Sequence, residues 1–296
     1  MTAPDASSGK LMAVSDGGPA RTPRGLADVF LQNTLQNFER WILFIAPAPP
    51  AKILVPHLPA VAASVATLYV VVMWMVFVDV AGTAWAANLP QGVRDVFEHI
   101  TNFGLSGWFL IPFAVILIGL AAVISPALPQ MTRGVLTALA VRFGFLFLAI
   151  GVPGLFATIV KRLIGRARPF VGGADDPFSY MPFIWRPEYA AMPSGHSTTS
   201  VAAAIAIGAI WPRTRWVMWV FALTIMASRV IVLAHHPSDV IAGALVGATG
   251  AFLLRRWFVG RRLLFCPRDL RPYPGPSLGR IAAALRQVVV TKPTSL

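Results

Sequence analysis

The stretch 135–160, VLTALAVRFGFLFLAIGVPGLFATIV, carries a single charge, Arg142, and runs directly into Lys161-Arg162-Leu163-Ile164-Gly165-Arg166-Ala167-Arg168-Pro169. A helix rises about 1.5 Å per residue, so this run is long enough to cross the roughly 30 Å hydrocarbon core of a bilayer. A span closing on a burst of cations meets a polar layer at its C-terminal end. Working outward, apolar runs recur at about 59–81, 108–124, 198–211, 216–234 and 240–254. The expected fold is all-α: a polytopic membrane helix bundle of six transmembrane helices spanning 59–256. Pro126 and Pro129 break one gap and Pro212 ends the fourth run. That fourth run is short and rich in Ala and Ser, and small residues let neighbouring helices approach closely.

Composition points the same way. Of 296 residues, 56% are hydrophobic and 12% charged, against roughly 25% charged in a soluble domain, and the mean hydropathy is +0.67. A soluble enzyme, a fibrous chain and a disordered chain are excluded. The formal charge is +13, which on a soluble domain would suggest nucleic acid. Its location argues otherwise: 17 of the 25 Lys and Arg lie in segments that become cytoplasmic with the N-terminus inside. The positive-inside rule then places both termini in the cytoplasm, with no nucleic-acid partner. Residues 1–25 read as a disordered tail without a signal-peptide core. Residues 257–296 read as a basic cytoplasmic tail, an orientation signal able to touch anionic lipid.

Residues 26–58 read as an amphipathic interfacial segment. Phe30, Leu31, Leu35, Phe38, Trp41, Ile42 and Ile45 recur at helical spacing. Such a helix lies on the membrane surface or packs on the protein's own cytoplasmic face. Cys266 is the single cysteine and forms neither an intrachain disulfide nor a metal site.

Three polar clusters fall on the opposite, extracytoplasmic side in this topology. The first is Lys161 to Pro169; the second is Pro193-Ser194-Gly195-His196; the third is Ser228-Arg229 followed by His235 and Asp239. Lys161, Arg168 and Arg229 concentrate positive charge beside apolar surface, and a phosphate is the natural counter-ion because guanidinium pairs with its oxygens bidentately. Ser194 and Gly195 at a helix start add backbone donors and the positive end of the helix dipole. His235 and Asp239 are four apart, so a shared helix would place the carboxylate beside the imidazole and fix its tautomer. His196, on another helix, is placed to protonate a leaving oxygen and then deprotonate water. His236 is expected to turn away, Arg162 and Arg166 to be secondary, and Asp175 and Asp176 to form a turn before Pro177.

At these residues the sequence resembles the type 2 phosphatidic acid phosphatase (PAP2) superfamily. The signature is Lys, six residues, Arg-Pro; then Pro-Ser-Gly-His; then Ser-Arg, five residues, His, three residues, Asp. All three parts match in order. The resemblance implies a metal-independent phosphatase with a phosphohistidine intermediate and no cofactor. In it His235 is the nucleophile, Asp239 its orienting carboxylate and His196 the general acid. Lys161, Arg168, Ser194, Gly195 and Arg229 cradle the phosphate. A site at the membrane interface suits a lipid phosphate, and members of this layout act on polyprenyl diphosphates such as undecaprenyl diphosphate, on phosphatidate, phosphatidylglycerol phosphate or lipid A. A bacterial inner membrane is the expected location. Two other readings stand beside hydrolysis: a phosphotransferase passing the phosphoryl group to another lipid, and a non-catalytic protein that binds or transports lipid headgroups, which Arg142 within a span would favour.

Overall fold

Proline and glycine punctuate the apolar sequence, and α4, α6, α7 and α9 start or stop at them. The computed structural model describes residues 26–45 and 57–290. Its helices are α1 (Leu26–Ile45), α2 (His57–Phe77), α3 (Asp79–Ala87), α4 (Gln91–Thr101), α5 (Gly107–Val123), α6 (Gln130–Ile164), α7 (Gly195–Ile210), α8 (Arg215–Ile231), α9 (Pro237–Gly260) and α10 (Leu278–Val290). Pro90, Pro129 and His236-Pro237 stand at the starts of α4, α6 and α9, where the missing proline N–H costs nothing. Each apolar run in the sequence coincides with a helix, the first with the α2 and α3 pair.

Among the described residues, four stretches are long and apolar enough to cross a membrane: Gln91–Val123, Gln130–Ile164, Pro212–Ile231 and Pro237–Gly260. The segments Ser64–Phe77 and Asp79–Ala87, bent by 50° from one another, make a fifth if they are one span. The 16 residues of α7 extend about 24 Å, less than the hydrocarbon thickness. Length and composition therefore support four or five full spans where the sequence predicted six.

The shortness of α7 goes with its position. It is the central helix, packed on α6, α8 and α9, with Ser197 to Ala204 buried in an unbroken row. Its small side chains let α9 come to backbone contact. A Cβ on Gly243 would run into the Ser194 carbonyl oxygen, and one on Gly247 into that of Thr198. The Thr198 hydroxyl donates to the Gly243 carbonyl at 3.0 Å across this seam. Large side chains point outward instead, among them Ile111 and Val115 of α5, Leu155 and Phe156 of α6, and Trp216, Val217 and Val220 of α8. Small residues inside and large ones outside suit a bundle whose solvent is lipid.

At the end of α6 away from Lys161, α1 lies against α5 through a polar stripe. The Asn37 amide donates to the Ala121 and Ile124 carbonyls at 2.9 and 2.7 Å, which are acceptors that the end of a helix leaves open. Phe30, Leu31 and Leu35 are exposed. The helix packs on α5 and turns Phe30, Leu31 and Leu35 outward, while Trp41 packs inward against the cluster around Ile124 and Leu136. The expected tail at 1–25, residues 46–56 of the amphipathic segment and residues 291–296 lie outside the described residues. The earlier part of the expected C-terminal tail folds back on the bundle. Leu264 and Phe265 are buried, Phe265 meets Phe145 edge-on at 5.0 Å, and α10 sits on α6 with Thr132 hydrogen-bonded to Gln287.

The α7 to α9 seam predicts a selective sensitivity. Gly247→Val should destabilise the protein by about 1–3 kcal/mol, read as a lower midpoint of thermal unfolding in detergent. Gly144→Ala, where a Cβ meets nothing within 4 Å, should leave the midpoint unchanged or raised.

Candidate active site

All three sequence clusters converge at one end of the bundle. Lys161 occupies the last turn of α6, which ends at Gly165 in the left-handed conformation, φ 62°. Glycine is required there, because a Cβ would overlap the Met181 carbonyl. Residues 165–168 then run extended between two strands of loop. Met181 N donates to Gly165 O at 2.7 Å, Ala167 N to Ser179 O at 2.9 Å, Arg168 N to Glu188 O at 2.8 Å and Ala191 N to Arg166 O at 3.1 Å. This clamp fixes the direction of Arg168.

Ser194 is the N-cap of α7 and is buried, but its hydroxyl makes no capping bond. The Ser194 N–H instead donates to the Asp239 carbonyl at 3.0 Å, which joins the start of α7 to the start of α9. Gly195 brings the start of α7 close to the ammonium: a Cβ there would stand 3.2 Å from Lys161 Nζ. His196 follows, within charge range of Arg229, His235, Lys161 and Arg168. Arg229, in the last turn of α8, is buried and donates to the Thr101 hydroxyl at 2.6 Å.

His235 and Asp239 meet, though not along a helix as the spacing suggested. Pro237 disfavours helical backbone in the residue before it. His236 is accordingly extended, with φ −71° and ψ 153°, and α9 begins at Pro237. The two residues face each other across the helix cap, with His235 Nδ1 at 3.7 Å from Asp239 Oδ2. That separation is a charge contact longer than a hydrogen bond. It turns Nε2, the other ring nitrogen, away from the carboxylate. Burial pushes the His235 imidazole down to about 4, against the pull of Asp239, so at neutral pH the ring carries a free lone pair.

Several cradle atoms have no protein partner. Arg168 Nε, Arg229 Nε and the Ser194 hydroxyl are buried without a hydrogen bond. Burial, together with Arg162, pushes the Arg168 guanidinium below its ordinary value despite Glu188 and Asp239. Cations held this close beside buried donors suit a multiply charged oxyanion. Among the described residues no group of three or more His, Cys, Asp or Glu is arranged to hold a metal ion.

A family model described as the PAP2 superfamily matches residues 142–263. A lipid A 1-phosphatase of Rhizobium johnstonii is 35% identical over 201 residues, 67% of this chain and 81% of that protein. The chain belongs to the PAP2 superfamily. A lipid A 1-phosphatase of Rhizobium etli is 35% identical over 182 residues, covering 61% of this chain and 78% of its own. A decaprenylphosphoryl-5-phosphoribose phosphatase of Mycobacterium tuberculosis is 32% identical over 160 residues, covering 53% and 76%. The crystal structure of a transmembrane PAP2 type phosphatidylglycerolphosphate phosphatase from Bacillus subtilis aligns with a TM-score of 0.43 at 18% identity, over 76% of this chain and 95% of that one.

Residues outside the three-part signature also reach the site; sequence reasoning assigned Arg166, His236 and Asp175 minor parts and Asp79 none. Arg166, expected to be secondary, is wholly buried. It donates to Asp239 Oδ1 at 2.6 Å, to Asp79 Oδ2 at 2.7 Å, to the Ser238 hydroxyl at 2.6 Å and to the Pro177 carbonyl at 2.9 Å. Burial works against the Arg166 charge, but Asp239 and Asp79 more than offset it and hold its pKa above the ordinary value. Asp79 also accepts from the Ser238 N–H at 2.8 Å and the Ser238 hydroxyl at 2.6 Å, capping α9 from α3. His236 did not turn away. Its N–H donates to Asp239 Oδ2 at 2.9 Å, and its Nε2 lies 2.9 Å from Asp175 Oδ1. Burial disfavours a charged His236, while Asp239 and Asp175 raise its pKa overall. Asp175, read as a turn former, also takes the Thr83 hydroxyl. The available signal was Asp79, a lone carboxylate within an apolar run, which calls for a named partner.

Removing Arg166 leaves two buried carboxylates without their cation. Arg166→Ala should cost about 3–5 kcal/mol of stability, seen as a large fall in the unfolding midpoint and in the yield of monodisperse protein. Arg166→Lys should recover part of the loss, since one ammonium cannot reproduce the planar fork that spans both carboxylates.

Proposed function

We propose that the chain is a lipid phosphate phosphatase that hydrolyses a phosphomonoester or diphosphate headgroup through a phosphohistidine intermediate. The observation that carries this reading is a buried, neutral His235, backed by Asp239 and lying beside Arg168 and Arg229, whose buried Nε atoms have no protein partner. In the first step His235 Nε2 forms a bond to phosphorus while the bond to the leaving oxygen breaks, and His196, which burial and the surrounding cations hold neutral until an anionic headgroup offsets them, arrives protonated with that headgroup and gives the oxygen its proton. In the second step water attacks phosphorus, His196 takes its proton, and the P–N bond breaks to release phosphate. Asp239, held by Arg166, stabilises the positive charge that His235 acquires. Lys161, Arg168 and Arg229, with the Ser194 hydroxyl and the N–H groups that open α7, meet the charge on the phosphoryl oxygens. Guanidinium and ammonium groups take the role that a metal has in other phosphatases, so the reaction is metal-independent.

The phosphate belongs to a lipid because the cradle lies where spans end, so the tail stays in the bilayer while the headgroup enters. The two rhizobial relatives make the 1-phosphate of lipid A the first candidate. The distribution of Lys and Arg supports an extracytoplasmic site in a bacterial inner membrane.

Purified protein in detergent should release inorganic phosphate from lipid A in the presence of EDTA; loss of activity on chelation would overturn the metal-independent mechanism. His235→Ala should lower kcat by about three orders of magnitude or more, and acid-labile, base-stable label should accumulate on the wild-type protein but not on this variant. With His235 neutral down to about pH 4, the acid limb of kcat/KM should lie well below the roughly 6.5 of an ordinary histidine. An acid limb at 6.5 that stays put when the ionisation of the substrate phosphate is varied would overturn the buried, neutral nucleophile.

A further inference from the structure

Arg142 plays no part in this chemistry, and its position points elsewhere. It stands 19 residues before Lys161 on α6, about 28 Å along the helix. That is nearly the hydrocarbon thickness, so with Lys161 at one interface Arg142 is level with the other. Its guanidinium is half-buried and donates only to carbonyls, Ala138 at 2.9 Å and Tyr273 at 2.8 Å. It borders a cleft of about 660 Å³ between α1, α6 and the chain after α9, which Arg40 and Arg133 also line, with Trp41, Ile124 and Val141 on its apolar walls. An adjoining cleft of about 580 Å³ along the same part of α6 adds Arg280. Among the described residues, no carboxylate lines either cleft.

We infer that this cleft binds the phosphate-bearing headgroup of an anionic phospholipid from the leaflet opposite the catalytic residues. Three guanidiniums with no carboxylate among them give the cleft a positive field that an anion would offset, and planar guanidinium forks favour a phosphodiester. Apolar walls level with the interface favour a lipid over a free anion, since the acyl chains stay in hydrocarbon while the headgroup enters. The exposed Phe30, Leu31 and Leu35 of α1 give the same end of the molecule an apolar contact with the bilayer. This site is independent of the phosphatase reading and stands or falls without it.

The test counts bound lipid by native mass spectrometry on protein incubated with phosphatidylglycerol or phosphatidylcholine. Arg40 is exposed and Arg133 makes only a 3.5 Å bond to the Pro126 carbonyl, so the double variant R40Q/R133Q should fold normally. It should bind phosphatidylglycerol about fivefold more weakly for each arginine removed. Arg142→Gln, as a second variant, should weaken binding similarly, and K161A in the catalytic cradle should not. Unchanged binding in R40Q/R133Q, or a loss confined to K161A, would place the lipid in the catalytic pocket and overturn the inference. Equal retention of phosphatidylcholine, or displacement of phosphatidylglycerol by millimolar inorganic phosphate, would overturn it as well, showing respectively that charge is not read or that the cleft is a free-anion site.

Discussion

The buried guanidinium of Arg166 is the contact on which the rest depends. A charge with no exposure to water is costly unless its partners surround it, and here carboxylates from two separate helices do so, Asp79 at the start of α3 and Asp239 near the start of α9. One ion therefore ties the loop after α6 to the N-termini of two helices. Because Asp239 also faces His235, the same contact that holds the fold aims the carboxylate at that imidazole. Fold and candidate site share a residue, so stability and site geometry are linked at this point.

A second constraint acts through size. The bundle converges on its site because α7 presents little more than methyls and hydroxyls, so that α9 can lie on it at Gly243 and Gly247. The same approach brings Ser194 N–H to the Asp239 carbonyl. The start of α7 and the His235–Asp239 pair thus come together through close backbone packing as well as through charge. Lipid surrounds the bundle and cannot drive apolar groups inward, so close packing and polar bonds are left to hold the helices together.

The two ends of α6 show how one long helix separates two tasks. Its C-terminal turn supplies Lys161 to a site built of cations and imidazoles. Its N-terminal part, together with α1 and the returning C-terminal segment, builds a basic cleft that no catalytic group enters. The segment after α9 was legible as basic but not as folded, because Leu264 and Phe265 are too few in sequence to announce the aromatic cluster they complete with Phe145 and Phe258.

The sequence by itself determined that the chain is helical and apolar enough for a membrane, where its apolar runs lie, and which three polar clusters share one end of the bundle. Those features are local: run length, proline, and motif spacing are visible without neighbours. The tertiary structure alone decided that α7 is a short central helix, that His235 and Asp239 meet across a cap formed at Pro237, and that Arg166, Asp79, His236 and Asp175 support the site. Each depends on which distant groups share a buried volume. The cost of burying a charge is set by its partners in space, and Asp79 and Arg166 lie 87 residues apart in the chain.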